Sequence, residues 1–224
     1  MANLGVMFNE GRGVPVDFKR AKEWYEKAIA LNSAPAMNGM GTLYKSGNGV
    51  SLDRPSARRW FEKAAALGYP PAMTNYGELL YDGVGGIEDK AQAKDLFEKA
   101  AAVGEGGSMR ALGWILIHGS NPDFAGARVW FEKGAAAGHA ACMAELGRMA
   151  EFGNGVPVDY AAAKSWYEKA AAGGSASGMA GLGGLFLSGL GVPESKKLAR
   201  EWFAKAAKLG HQGAKRSLDF MSSK

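Results

Sequence analysis

The chain has a single cysteine, Cys142, so no intrachain disulfide framework can hold it together. Its three histidines, His118, His139 and His211, have no Cys or acidic cluster beside them at ligand spacing, and neither a metal nor any other cofactor is expected. No stretch approaches the roughly 18 to 20 uninterrupted apolar residues of a membrane-spanning helix. Nor does a basic segment followed by an apolar one open the chain, as a signal peptide would. The formal charge is +5, yet there is no run of five Lys or Arg. Basic residues are scattered through every part of the chain and mostly sit beside Glu, as at Glu26 and Lys27, Glu62 and Lys63, Glu98 and Lys99, Glu132 and Lys133, Glu168 and Lys169. That is the pattern of a solvated helix face, and it excludes nucleic acid as the expected partner. As written, the sequence reads as a soluble, cytoplasmic chain with no signal peptide and no membrane insertion.

What the chain has in abundance is period. Trp24, Trp60, Trp130, Trp166 and Trp202 lie 36, 70, 36 and 36 residues apart, and Leu96 fills the missing beat. Aligning on Gly5, Gly41, Gly77, Gly113, Gly147 and Gly183 gives six copies, with spacings of 36, 36, 36, 34 and 36. A fixed period in this range marks stacked supersecondary units rather than one globular core. The copies run over residues 1–33, 34–69, 70–105, 106–139, 140–175 and 176–211, and residues 212–224 read as a capping helix. Residues 1–224 are expected to form a single array. Met1 falls in register with Met37, Met73, Met109, Met143 and Met179. It therefore fits an internal repeat position as well as a start, and an upstream leader would make the parent protein an exported one.

Each copy reads as two helices. In the second copy the first helix is predicted over residues 35–46, a Gly-Asn-Gly turn follows, and the second helix is predicted over residues 54–67. Asp17, Asp53, Asp89, Asp123 and Asp159 precede the second helices, with Ser195 in the sixth copy, and each is a good N-cap. Along the second helix Ala57, Trp60, Phe61 and Ala64 share a face, repeated as Ala21, Trp24, Tyr25, Ala28 and as Ala163, Trp166, Tyr167, Ala170. The Trp stripe is expected to be core, and Leu96 is expected to leave the third copy less well packed. The recurring glycine of the first helix lets its partner helix pack against bare backbone.

The pattern Met-x-x-Leu-Gly, then Gly-x-Gly-Val, then Asp-x-x-x-Ala-x-x-Trp-Tyr-x-Lys-Ala-Ala resembles the Sel-one-like repeat, a relative of the tetratricopeptide repeat. Residues 151–173 match it closely, through Phe152, Gly153, Asn154, Gly155, Val156, Asp159, Ala163, Trp166, Tyr167, Glu168, Lys169, Ala170 and Ala171. The resemblance covers nearly the whole chain. It implies an all-α fold, a right-handed superhelical α/α solenoid of six helix-turn-helix repeats with a C-terminal capping helix. It also implies a scaffold or adaptor that binds a protein or peptide segment in a concave groove. Transferred by register, the groove-lining positions of the first helices are Lys45, Glu78, Tyr81, Asp82, Arg110, Trp114, His118, Arg148 and Glu151. The sixth tryptophan, Trp114, is off the beat, and aromatic and arginine residues on an open surface are the material of binding hot spots.

Catalytic readings are weaker. The Gly-x-Gly turns follow no strand and precede no Gly-Lys-Ser/Thr, so they read as turn glycines and not as a phosphate loop. Cys142 stands where other copies have Ala36, Ala72, Ser108 and Gly178, which marks a packed small residue. No Ser/Lys or Ser/His/Asp constellation emerges. The leading expectation is a non-enzymatic interaction scaffold. The alternative is a cell-envelope protein that binds or hydrolyses a β-lactam or peptidoglycan fragment, as cysteine-rich members of the family are described as doing. The paired cysteines of those members are missing here. Sequence leaves the oligomeric state open.

Overall fold

In the computed structural model, which describes residues 1–222, each of the six capping residues accepts a hydrogen bond from the backbone of the helix that follows it. Asp17 takes one from Arg20, Asp53 from Ser56, Asp89 from Gln92, Asp123 from Gly126, Asp159 from Ala162 and Ser195 from Leu198. Each satisfies an N–H that has no partner within the helix. Gly11, Gly47, Gly153 and Gly189 close first helices with φ between 66° and 75°, a left-handed conformation that a Cβ would strain.

The described residues form thirteen helices and no strand, grouped in two compact units. The first unit, Met1–Ser108, contains α1 (Ala2–Glu10), α2 (Phe18–Ile29), α3 (Ala34–Ser46), α4 (Arg54–Ala66), α5 (Pro70–Tyr81), α6 (Lys90–Ala102) and the start of α7 (Gly106–His118). The second, from Met109 onward, contains the rest of α7, then α8 (Phe124–Ala136), α9 (Ala140–Phe152), α10 (Tyr160–Ala172), α11 (Ala176–Ser188), α12 (Lys196–Lys208) and α13 (Gln212–Ser222). The expected cap is therefore α13; Ser223 and Lys224 of that expectation lie outside the described residues. Within each unit consecutive helices pack together. First helices also meet first helices of the next copy, α1 with α3, α3 with α5, and α9 with α11.

The core differs from the sequence expectation in one respect. The buried ring of each copy is the residue after the tryptophan: Tyr25, Phe61, Phe97, Phe131, Tyr167 and Phe203 are 0% to 5% exposed. The tryptophans themselves are half-buried. The reason is geometric. Phe61 lies against Gly41 of its own first helix, where a Cβ would come within 2.7 Å of the ring, and Phe97 on Gly77 and Phe203 on Gly183 repeat the contact. Trp60 instead packs on the layer between copies, formed by Tyr25 of the preceding copy with Ala36, Met40 and Leu43 of its own first helix. Trp166 packs in the same way on Phe131, Leu146 and Met149, and Trp202 on Tyr167, Leu182 and Leu185.

The outer face of each of these tryptophans lies under the lysine three residues on, with Nζ 4.1 to 4.8 Å from the ring centroid at Trp24, Trp60, Trp130, Trp166 and Trp202. Such contacts contribute about 0.5–1 kcal/mol each where exposed. Leu96 thus replaces a half-buried inter-copy filler, and the third copy keeps its buried ring in Phe97.

Cys142 is fully buried, as a packed small residue should be. Its position is coupled to Gly134, which replaces the alanine of other copies; a methyl on Gly134 would collide with Cys142 Sγ. The thiol fills the volume that the missing methyl leaves. His139 Nδ1 lies 3.3 Å from that sulfur, and the equivalent His211 accepts from the Ala214 backbone N–H through Nδ1. His211 thus caps the helix that follows it, whereas His139 stands at the N-cap of α9 with its ring on the cysteine and no capping bond from its side chain.

Two expectations follow for unfolding measured in urea. Phe61→Ala should cost about 3 to 5 kcal/mol, and Trp60→Ala measurably less; the reverse order would return the tryptophan to the core. Gly41→Ala should destabilise although alanine is the better helix former by about 1 kcal/mol. Gly184→Ala, in α11 with open space beside it, should stabilise.

Candidate interaction site

The nine positions assigned to the groove fall on first helices, or just past their ends, in both units. In the first unit Lys45, near the end of α3, reaches Glu78 on α5, with Nζ 3.2 Å from Oε2. Nearby, Asn75 Nδ2 donates to Asn38 Oδ1 at 2.9 Å, so two side-chain bridges join the same pair of helices. Both partners of the ion pair are partly solvated, which limits its contribution to about 0–1 kcal/mol. Tyr81 ends α5 with its ring 5.4 Å from Lys90 Nζ at the start of α6, so it faces its own second helix. Asp82 is exposed at the C-cap of α5.

Sequence spacing gives no sign of a second polar cluster in this unit. Glu105 precedes α7 and its Oε2 accepts from the Ser108 backbone N–H and from Thr74 Oγ1, both at 2.7 Å. Thr74 and Ser108 hydroxyls also meet at 2.7 Å, and both residues are buried. Buried hydroxyls need partners: the carboxylate receives that of Thr74, and Thr74 in turn pairs with that of Ser108. The cluster joins α5 to the start of α7 and is structural.

In the second unit the off-beat tryptophan is 41% exposed. The Trp114 indole N–H donates to Glu145 Oε1 at 3.0 Å, and its ring stacks on His118, with centroids 4.0 Å apart and planes 15° from parallel. His118 Nδ1 is in turn 3.0 Å from the Trp114 carbonyl oxygen. The other oxygen of Glu145 takes Arg148, with Nε and Nη2 each at 2.9 Å. One carboxylate on α9 therefore fixes an indole from α7 and a guanidinium from α9, and the three present an aromatic face flanked by charge. Arg110 stands one turn before Trp114 on the same face of α7.

Register transfer passes over Glu145 and selects its neighbour Ala144; the available signal is the i, i+3 spacing of Glu145 to Arg148 on a helix. Glu151 accepts from the buried Tyr167 hydroxyl at 2.6 Å and so also serves its own copy's interior.

Burial raises three phenols, Tyr25, Tyr76 and Tyr167. Burial, chiefly, raises Tyr25 to about 12, with Glu10 adding to it. Burial and then the hydrogen bond to Glu151 push Tyr167 well above the ordinary phenol range. No described helix is long and apolar enough to cross a membrane. Among the described residues no group of three or more His, Cys, Asp or Glu is placed to hold a metal ion.

Stacked helical hairpins with a glycine-to-ring contact in every copy define an α/α repeat protein. The family model of the Sel1 repeat matches residues 1–33, 34–69, 70–105, 107–139, 140–175 and 176–211, and the chain belongs to the Sel1 repeat family. Among solved structures it is similar to a Sel1 repeat protein from Oxalobacter formigenes, at 28% identity and a TM-score of 0.76, over 100% of this chain and 91% of the other. It is also similar to c5321, a protective antigen of uropathogenic Escherichia coli with the same repeat fold, at 29% identity and a TM-score of 0.61, over 100% of this chain and 48% of that one. The immunity protein Pa5087 from Pseudomonas aeruginosa, at 23% identity and a TM-score of 0.67 over 87% and 75%, shares the fold. No curated protein matches the chain in sequence.

The raised phenols set a pH dependence. A phenol kept neutral in the fold contributes stability that is complete below its unfolded value of about 10 and is lost as pH rises through the folded value. For Tyr25 that window runs up to about 12. The melting temperature should fall as pH rises past about 10, and Tyr25→Phe combined with Tyr167→Phe should flatten the fall. An unchanged slope in the double variant would count against it.

Proposed function

We propose that this protein is a non-enzymatic scaffold that binds a protein or peptide segment on the exposed surface of its first helices. Sel1 repeat proteins are generally protein-interaction scaffolds. The observation that carries the reading for this chain is Trp114. It departs from the repeat pattern, it is 41% exposed, and it is held in place by Glu145 and His118 without being packed. A large aromatic fixed in one orientation at an open surface loses little entropy when a partner covers it, and tryptophan and arginine dominate binding energetics.

Arg148, held by the same carboxylate, and Arg110, one turn earlier on α7, would orient an acidic or carbonyl-rich segment across the ring. Lys45 and Glu78, with Asp82, are the corresponding polar positions of the first unit. In this reading the Glu145 carboxylate keeps both the indole and the Arg148 guanidinium in the binding-competent arrangement.

A tagged full-length chain used as bait tests this. Trp114→Ala should release the retained protein, a loss of about 2 kcal/mol or more in binding. The same substitution should change the unfolding free energy by less than about 1 kcal/mol, because it removes a solvated hydrogen bond and no core contact. Retention unaffected by Trp114→Ala, or a large fall in its melting temperature, would overturn the proposal.

A further inference from the structure

The net charge of the chain is concentrated at one end. Of the 27 Lys and Arg, eight lie in residues 196–224, against two of the 22 Asp and Glu. That segment therefore carries +6, while the whole chain carries +5, so everything before it sums to slightly below zero.

One contribution is a substitution in the repeat. In four of the first five copies the basic residue after the first buried alanine of the second helix pairs with a glutamate one turn on. These are Lys22 with Glu26, Lys94 with Glu98, Arg128 with Glu132, and Lys164 with Glu168, at 2.6 to 3.8 Å. In α12 the glutamate is replaced by Ala204, which is exposed. Arg200, deprived of its i+4 acid, donates instead to the Met221 carbonyl of α13 at 3.0 Å. That bond ties the outer side of α12 to the end of α13. Lys197, Lys208, Lys215 and Arg216 are all exposed on the same two helices, and among the described residues none of them forms an ion pair.

Apolar side chains are interleaved with these cations. Leu198 is 37%, Leu209 56% and Phe220 59% exposed. Leu198 and Leu209 are two isolated side chains, and the wider apolar face of α12, formed by Ala199, Phe203 and Ala206, is buried within the fold, so it cannot serve as the continuous apolar face that a helix lying in a membrane interface needs. A phosphate backbone would neutralise the lysines but gains nothing from exposed aliphatic groups. An acidic protein segment with its own apolar residues satisfies both parts of the surface.

We propose that α12 and α13 form a second docking surface, independent of Trp114, for an acidic segment of a partner protein that carries Leu or Phe among its carboxylates. Long-range attraction from the unpaired lysines steers the segment in, and the exposed Leu and Phe side chains give it a place to settle.

The test uses the full chain and a fluorescent Glu-rich peptide with interspersed Leu and Phe, followed by anisotropy. The wild type should bind it, more weakly as salt is raised. Ala204→Glu, which restores the acid of the earlier copies, and Lys208→Glu should each weaken binding roughly tenfold without lowering the melting temperature. Lys19→Glu, at the position of α2 that corresponds to Lys197, should leave binding unchanged. The same measurements are made with a double-stranded DNA fragment and with phosphatidylserine-containing vesicles. The proposal is overturned if the peptide does not bind, if Lys19→Glu weakens it as much as Ala204→Glu, or if DNA or vesicles bind more tightly than the peptide and are released by the same variants.

Discussion

Everything in this structure depends on one contact made once per copy, an aromatic ring of the second helix resting on a glycine of the first. A glycine inside a helix costs about 1 kcal/mol relative to alanine. Burying the ring returns about 1.5–3 kcal/mol, and the absence of a Cβ lets the two backbones approach closely enough for that burial to be complete. Ring burial outweighs the loss of helix propensity, which is why a residue otherwise poor in helices stands at Gly5, Gly41, Gly77, Gly113, Gly147 and Gly183. The buried alanines on either side, such as Ala57 and Ala64 at 0% exposure, serve the same close approach from the opposite helix.

With that contact fixed, the neighbouring tryptophan is free to face the seam between its own first helix and the preceding copy. It becomes a filler between layers, half-buried, with its outer face under a lysine. The residue before the glycine turns inward, as Met40 and Leu112 do, whereas the residue after it lies on a more open side of the helix and is exposed at Thr42 and Trp114. Position 114 immediately follows Gly113, and a tryptophan there meets solvent. The exposure of Trp114 is thus a consequence of the same geometry that buries Phe131.

Much of this is legible in the sequence. The period, the two helices per copy, the Asp and Ser caps and the buried Cys142 all follow from spacing and side-chain chemistry, because each is a local relation along one helix or turn. Which of two adjacent aromatics forms the core is not. On a helical wheel Trp60 and Phe61 flank the line through Ala57 and Ala64 at equal angles of about 50°, so periodicity assigns them equal claims. The choice is made by the partner helix. The same limit applies to the candidate site. Register finds Lys45 and Glu78, and the structure pairs them. It passes over Glu145 and does not foresee the bond from Tyr167 to Glu151, because the partner of each carboxylate, Trp114 in one case and Tyr167 in the other, lies on a different helix.

A strict repeat also turns each departure from it into information, and the departures here are of two kinds. Leu96 replaces an inter-layer filler without disturbing Phe97, and Cys142 fills the volume left by Gly134. Both are answered within the fold. Trp114 and Ala204 are not. The first adds an aromatic where no core contact receives it, and the second removes the acid that would pair with Arg200 in a helix already rich in cations. Substitutions that the interior compensates preserve the array, and those it leaves uncompensated change only what the surface offers. The surface at α7 with α9 and the one at α12 with α13 are the two places where this chain differs most, physically, from an idealised stack of its own repeat.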